Sequence, residues 1–227
     1  MKIILNNPVI NIYRIQASKD DVPVRDTVDH TNLSRGFVFK EDESMDELKT
    51  HNDGVFICTE LKELFPPSEW DGSKGKAIGV AIIEGEKRLL VALKGSDKDL
   101  VLLDAGKDAG LESYPTVSKA RKDTDGRKNT EALLKAGSEA AKFCKEWGEE
   151  WHIPTLNDME MMYSHQDELD EALENAGGEP LYKGWYWTCT RQSENYYFVF
   201  DWIDGFRDNL NQLSYYRVRP VSRFLTL

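Results

Sequence analysis

Three cysteines, four histidines and a surplus of carboxylates are the side chains that could support covalent, metal or acid–base chemistry. Their spacing decides which. Cys58, Cys144 and Cys189 are odd in number and no Cys-x-x-Cys occurs, so neither a zinc ribbon nor a dithiol redox motif is written here. They read as buried free thiols. His30, His51, His152 and His165 lack the HxH or HExxH spacing that would set two imidazoles on one metal. His152, next to Trp151 before a helix, reads as structural. Asp123-Thr124-Asp125-Gly126 matches part of a calcium loop without its third acidic ligand or closing Glu. It reads as a turn leading into a helix cap at Asn129 or Thr130. The carboxylates from Glu168 to Glu174 line one exposed helix face, and Gly72-Ser73-Lys74-Gly75 lacks the spacing of a phosphate loop. The expectation is therefore no catalytic residue, no metal and no cofactor.

What the residues do suggest is contact chemistry, concentrated between Gly184 and Phe224. Trp185-Tyr186-Trp187 opens this stretch and Tyr216-Arg217-Val218-Arg219-Pro220-Val221 closes it, both reading as buried ends, with Arg217–Val221 predicted as a closing strand. The segment between is rich in Tyr, Asn, Asp, Ser and Arg. Aromatic side chains offer large contact area at small entropic cost, while Ser and Asn adapt their hydrogen bonds. In Tyr196–Trp202 the alternation predicts Phe198, Phe200 and Trp202 on a core face, and Tyr197, Val199 and Asp201 on an exposed one. Ile203-Asp204-Gly205 is predicted as a turn. An exposed Ile203 or Phe206 would be odd on an inert surface and normal in a binding patch.

The elements that must position this stretch are legible in outline. Ile78–Ile83, Arg88–Lys94 and Asp99–Leu103 read as short strands separated by Gly85 and Gly95, and Gly106–Lys128 as a long polar loop. A first helix is predicted with Leu133, Ala136, Ala140, Phe143, Cys144 and Trp147 on one face, ending at Gly148. Thr155 and Asp158 have capping-box spacing before a second helix. That helix turns Leu156, Met159, Met162, Leu169 and Leu173 inward and stops at Gly177-Gly178. Strands, two helices, then strands predict an α+β fold. Residues 1–50, with possible strands at Ile3–Leu5 and Val9–Ile15, read as an N-terminal arm or small attachment module, leaving 51–227 as the main domain.

The 227 residues carry 40% hydrophobic and 11% aromatic side chains, enough for a sizeable core. A net charge of −11 argues against binding a nucleic-acid backbone. No apolar run is long enough to span a membrane, and Met1–Asn7 is too short in apolar residues for a signal-peptide core. The expectation is a soluble chain that, if Met1 is its true start, is made in a cytosol and reaches a surface by another route such as assembly into a phage particle.

Four stretches, in order, resemble those of one large family. Trp151-His-Ile-Pro-Thr-Leu-Asn-Asp-Met-Glu160 resembles its "WYLPS-x-x-E" helix start, and Trp185-Tyr-Trp-Thr-Cys-Thr190 its "YWSST" strand. Phe198-x-Phe-x-Trp-x-x-Gly205 and Arg217-Val-Arg-Pro-Val-x-x-Phe224 resemble its last two elements. The family is the C-type-lectin-like, formylglycine-generating-enzyme-like one, in the branch of variable proteins diversified by retroelements in gut bacteria and phages. The resemblance spans Ile78 to Phe224. It implies a C-type-lectin-like fold with two helices and a small antiparallel sheet, bearing ligand contacts on a fixed backbone. Position by position, the implied contacts are Arg191, Ser193, Asn195, Tyr197, Val199, Asp201, Ile203, Asp204, Phe206, Arg207, Asn209, Asn211, Leu213 and Tyr215.

The sequence departs from the sugar-binding lectins of this fold, since their Glu-Pro-Asn or Gln-Pro-Asp and Trp-Asn-Asp calcium motifs are missing. It departs from the enzymes too: they use a pair of reactive cysteines near the end of the domain, where this sequence has only Cys189, at a small-residue position of the "YWSST"-like strand. The expectation is a receptor-binding or adhesion protein on a virion or cell surface, taking protein or glycan, with a possible homo-oligomer formed through the N-terminal arm. Two other readings stay open: a structural subunit of a virion or pilus, and a formylglycine-generating-like enzyme.

Overall fold

Short runs of β-branched and aliphatic residues build the first sheet of the computed structural model, which describes residues 53–223. The arm over 1–50, with its two expected strands, and Phe224 of the closing motif lie outside these residues. Gly54–Thr59 (β1), Leu64–Phe65 (β2), Ala77–Glu84 (β3) and Lys87–Ala92 (β4) are antiparallel. The two-residue turn Gly85-Glu86 joins β3 to β4, with Gly85 at φ 56°, a conformation that suits glycine. Leu100–Val101 (β5) follows. Much later, Val221–Ser222 (β10) returns to pair with β4, giving the order β10-β4-β3-β1-β2. The end of the described chain is thus fastened to its first half.

The second sheet is Trp185–Ser193 (β6), Tyr196–Asp201 (β7) and Arg207–Asn211 (β8), antiparallel with β7 central. Tyr215–Tyr216 (β9) pairs instead with β5. Together with the helices, these antiparallel sheets make the fold α+β, as the sequence predicts. The closing strand expected over Arg217–Val221 is shorter: only Val221 and Ser222 form its ladder, and Arg217 makes a single bridge to Tyr186.

Each predicted helix is in fact two. Val117–Ala120 (α1) sits within the expected polar loop. Gly126–Lys135 (α2) is capped by Asp125, which accepts from the Lys128 N–H at 3.1 Å, so the cap falls earlier than Asn129 or Thr130. Gly137, at φ 95°, ends that helix, and Ser138 caps Glu139–Glu146 (α3). Leu156–Ser164 (α4) and Gln166–Asn175 (α5) break at His165, whose Nε2 lies 3.1 Å from Glu84 at the end of β3. In both cases the apolar spacing runs on across the break, because both members of each pair face one core.

The start of α4 carries the capping box that the sequence predicts. Thr155 accepts from the Asp158 N–H at 3.1 Å, and Asp158 accepts from the Thr155 N–H at 2.9 Å. Asp158 is fully buried, and its other oxygen accepts from Arg223. Thr190 of β6 accepts from the Leu156 N–H at 3.0 Å, and Pro154 from the Cys189 N–H at 2.9 Å, which pins this helix start to the second sheet.

That sheet has a core on each side. Tyr186, Phe198, Phe200 and Trp202 pack with α4, α5 and the first sheet. Trp187, Cys189, Tyr197 and Val199 pack with Leu133, Cys144, Leu100, Leu102 and Val218. The expected exposure of Tyr197 and Val199 is therefore corrected: both are completely buried. The strand alternates between two cores, not between core and solvent.

Arg219 is another keystone. Its guanidinium is buried and donates to the carbonyls of Ala92, Glu179 and Pro180 at 2.9–3.1 Å. One side chain thereby joins β4, the segment after α5 and the closing segment. Burial pulls its pKa below the ordinary arginine value.

Candidate binding face

Strand register determines what the second sheet presents. Trp185 pairs with Asp201, and the Asp201 N–H donates to the Phe206 carbonyl at 2.9 Å, so Trp185, Asp201 and Phe206, the residue just before β8, form one row. The next row is Trp187, Val199 and Asp208, on the same face. β9 lies over the inner part of this face. Tyr216 meets Trp187 edge-on at 5.0 Å and lies 6.4 Å from Trp185. Beyond it the outer row is open: Phe206 is 57% exposed and stands edge-on to Trp185 at 6.3 Å. Ile203 in the adjoining turn is 61% exposed, and Tyr215, turned away from Tyr216, 64%.

Charges border this apolar row. Asp201 accepts from the Ile203 N–H, Asp204 from the Phe206 N–H and Asp208 from the Asn209 N–H, all at 2.8–2.9 Å. These bonds fix the turn through one carboxylate oxygen each. On the other border Arg217 lies over the Tyr182 ring at 5.0 Å, and its Nε is 3.1 Å from Asp99. Burial raises the Tyr216 hydroxyl pKa above its ordinary value, the Ser214 hydrogen bond lowers it, and the charges of Asp208 and Asp99 raise it further.

The fourteen implied contact residues divide into three groups. Asp201, Ile203, Asp204, Phe206, Leu213 and Tyr215 lie at the row, its turn or the tip beyond β8, and Asn195 with the half-buried Ser193 lies at the β6–β7 turn. Arg207, Asn209 and Asn211 alternate onto the opposite face of β8. There Arg207 lies 5.4 Å over the Phe200 ring and 2.9 Å from Glu160. Asn211 uses its side-chain oxygen to accept from the Leu213 N–H at 3.0 Å.

Arg191, Tyr197 and Val199 form the third group and are corrected from contact to frame. Arg191 is buried and donates to the carbonyls of Ser193, Leu111 and Glu194 and to Asp108, at 2.7–3.1 Å. It ties the loop after β5 to β6 and has little capacity left for a ligand. Tyr197 has a buried hydroxyl without a hydrogen-bond partner among the described residues, and burial raises its pKa to about 12. Trp185, Tyr216, Arg217 and Tyr182 belong to the face and escaped the sequence reading. Trp185 and Tyr216 flank the stretch and read in the sequence as its buried ends, and Arg217 reads as part of a closing strand.

The remaining chemistry is quiet. All three cysteines are buried and free. Burial pushes the Cys189 thiol far above its ordinary pKa, and the charges of Asp123 and Asp158 add to the shift. Its sulfur lies 3.8 Å from the Asn129 amide nitrogen and 3.9 Å from the Gly126 carbonyl, a setting opposite to the electropositive, accessible one that activates a thiol. Above it an open cleft of 190 Å³ is lined by Tyr114, Lys122, Asp123, Lys128 and Asn129. Asp123 is nearly buried at its base and accepts from the Asn129 amide at 2.9 Å with both oxygens. Burial raises its pKa, against hydrogen bonds from Thr190 and Asn129 that lower it. Among the described residues no group of three or more His, Cys, Asp or Glu is set to hold a metal, and no helix is long and apolar enough to cross a membrane.

No family model matches the chain, and no curated protein does. Among solved structures, a fimbrial protein from Bacteroides ovatus ATCC 8483 is similar at a TM-score of 0.48 and 13% identity. The likeness covers 60% of this chain and 35% of that one. At that level the two share too little backbone for one to inform the other.

Proposed function

We propose that this chain is a ligand-binding protein of the C-type-lectin-like, formylglycine-generating-enzyme-like family, in the branch of retroelement-diversified variable proteins. It serves attachment or adhesion at a virion or cell surface and does no catalysis. The observation that carries the reading is the row Trp185–Asp201–Phe206. It is an open aromatic and acidic strip on a sheet whose inner part is clamped between two cores. Such a face is preorganised, so a ligand need not order it on binding. The scaffold part draws support from where the four motifs fall. The first forms the capping box that docks on the second, the third is the central strand, and the fourth supplies Arg219.

The buried frame narrows the positions that can vary. Sequencing the locus across isolates tests this directly. Differences should concentrate at Ser193, Asn195, Ile203, Asp204, Phe206, Leu213 and Tyr215, while Arg191, Tyr197, Val199 and Arg219 stay fixed. A template copy beside a reverse transcriptase should accompany them. An invariant stretch with no template would overturn diversification and move the same face to a fixed partner or an assembly contact.

A further inference from the structure

We infer that the partner met by the Trp185–Phe206 row is a basic protein segment, presenting arginine or lysine side chains, and not a neutral glycan. This rests on the binding reading above and names its ligand class. The chain shows how it holds a guanidinium. Arg217 is set over the Tyr182 ring at 5.0 Å with Asp99 3.1 Å from its Nε. Arg207 is set over the Phe200 ring at 5.4 Å with Glu160 at 2.9 Å. In each case one aromatic face and one carboxylate share the cation. The open row repeats that pair of groups. Phe206 and Trp185 supply the rings, Asp201 stands between them in register, and Asp204 and Asp208 flank them.

Among the described residues no ion pair engages these three aspartates, so the outer row carries negative charge that its own arginines do not offset. A cation within about 6 Å of a ring centroid gains from the ring quadrupole, and more once desolvated. Guanidinium also matches a carboxylate in two-point geometry. A neutral sugar would stack on the rings but leave the three carboxylates uncompensated. Charge complementarity therefore selects the basic partner.

The test uses the whole chain, isotope-labelled, titrated with the peptide Ac-Gly-Arg-Gly-Arg-Gly-NH2 and, separately, with a neutral oligosaccharide such as xylohexaose. The Trp185 indole N–H, assigned with Trp185→Phe, and the Phe206 and Asp208 amides should shift with the peptide. Its affinity should fall at least tenfold in Asp201→Asn/Asp208→Asn, which keeps the turn-forming acceptor atoms. A charge-matched control, Glu168→Gln/Glu174→Gln on α5, should leave affinity within twofold. An equal loss in that control would mean attraction to the overall negative charge, and would overturn the inference. So would shifts with the oligosaccharide alone, or no shifts with the peptide. The binding reading itself fails by a different result, the absence of any ligand on the surface array described in the Discussion.

Discussion

Trp185 and Phe206 meet edge-to-face across a strand that belongs to neither, their ring centroids 6.3 Å apart and their planes at 86°. Trp185 rests on the Tyr216 side of the sheet, while Phe206 leans on it from the exposed end. An edge-to-face pair is worth about 0.5–1.5 kcal/mol beyond area burial. Phe206→Ala should thus cost no more than about 1 kcal/mol in a urea melt, since more than half of the ring is in water. If the loss reaches core size, Phe206 belongs to the fold and not to the face.

The frame should behave in the opposite way. Tyr197→Ala empties a fully buried aromatic site and should cost about 3–5 kcal/mol. Tyr197→Phe removes only the hydroxyl that lacks a partner; it should be neutral or stabilise by about 1 kcal/mol. Equilibrium unfolding of the pair separates ring from hydroxyl. A large loss in Tyr197→Phe would mean that the hydroxyl is satisfied after all.

Arg219→Met should destabilise, because it strips the buried Ala92 carbonyl and the part-buried Glu179 and Pro180 carbonyls of a donor. The expected cost is about 2–3 kcal/mol, at about 1–3 kcal/mol for a buried unsatisfied group and less for the part-buried ones. Arg219→Lys keeps a charge but cannot span the three acceptors, and should recover only part of the loss.

His152 gives a pH dependence with a definite sign. Burial lowers its folded-state pKa below the ordinary 6.5, so the unfolded chain binds the proton more readily. Its contribution is complete above the unfolded value and is lost as pH falls through about 6.5 toward the folded one. The urea midpoint of the native protein should therefore drop between pH 7.5 and 5.5 more than that of His152→Gln. In the folded protein the His152 ring resonance should titrate at lower pH than that of an ordinary histidine. Titration near its ordinary pKa would contradict the burial.

Thiol labelling should be silent in the native protein and stoichiometric in denaturant, with three cysteines reacting. Rapid labelling of Cys189 alone would revive the enzyme reading.

How much of this was legible depended on local rules. The Thr155–Asp158 box could be read because capping is decided within four residues. The strands β3 and β4 could be read because their aliphatic runs end at Gly85 and Gly95. The exposure of Ile203 and Phe206 was also legible, since large apolar residues beside a turn of Asp and Gly have no local reason to be buried. Tyr197, Val199 and Arg191 were not legible. Alternation shows that two faces differ, not that one of them is wet, and only the packing of α2, α3 and β5 buries the second face. The helix breaks at Gly137 and His165 escaped for a related reason, since the apolar period continues through each. Tyr216 and Arg217 were hidden because their places come from pairing with β5 and β6, partners distant in sequence.

The most direct test compares the native chain with Ile203→Ser/Phe206→Ser/Leu213→Ser/Tyr215→Ser on an array of bacterial envelope glycans and surface proteins, together with a thermal melt. The account expects ligand capture by the native chain, its loss in the variant, and a Tm lowered by no more than about 8 °C. Capture that survives in the variant, a native chain that captures nothing, or a Tm that collapses with these four substitutions would contradict it.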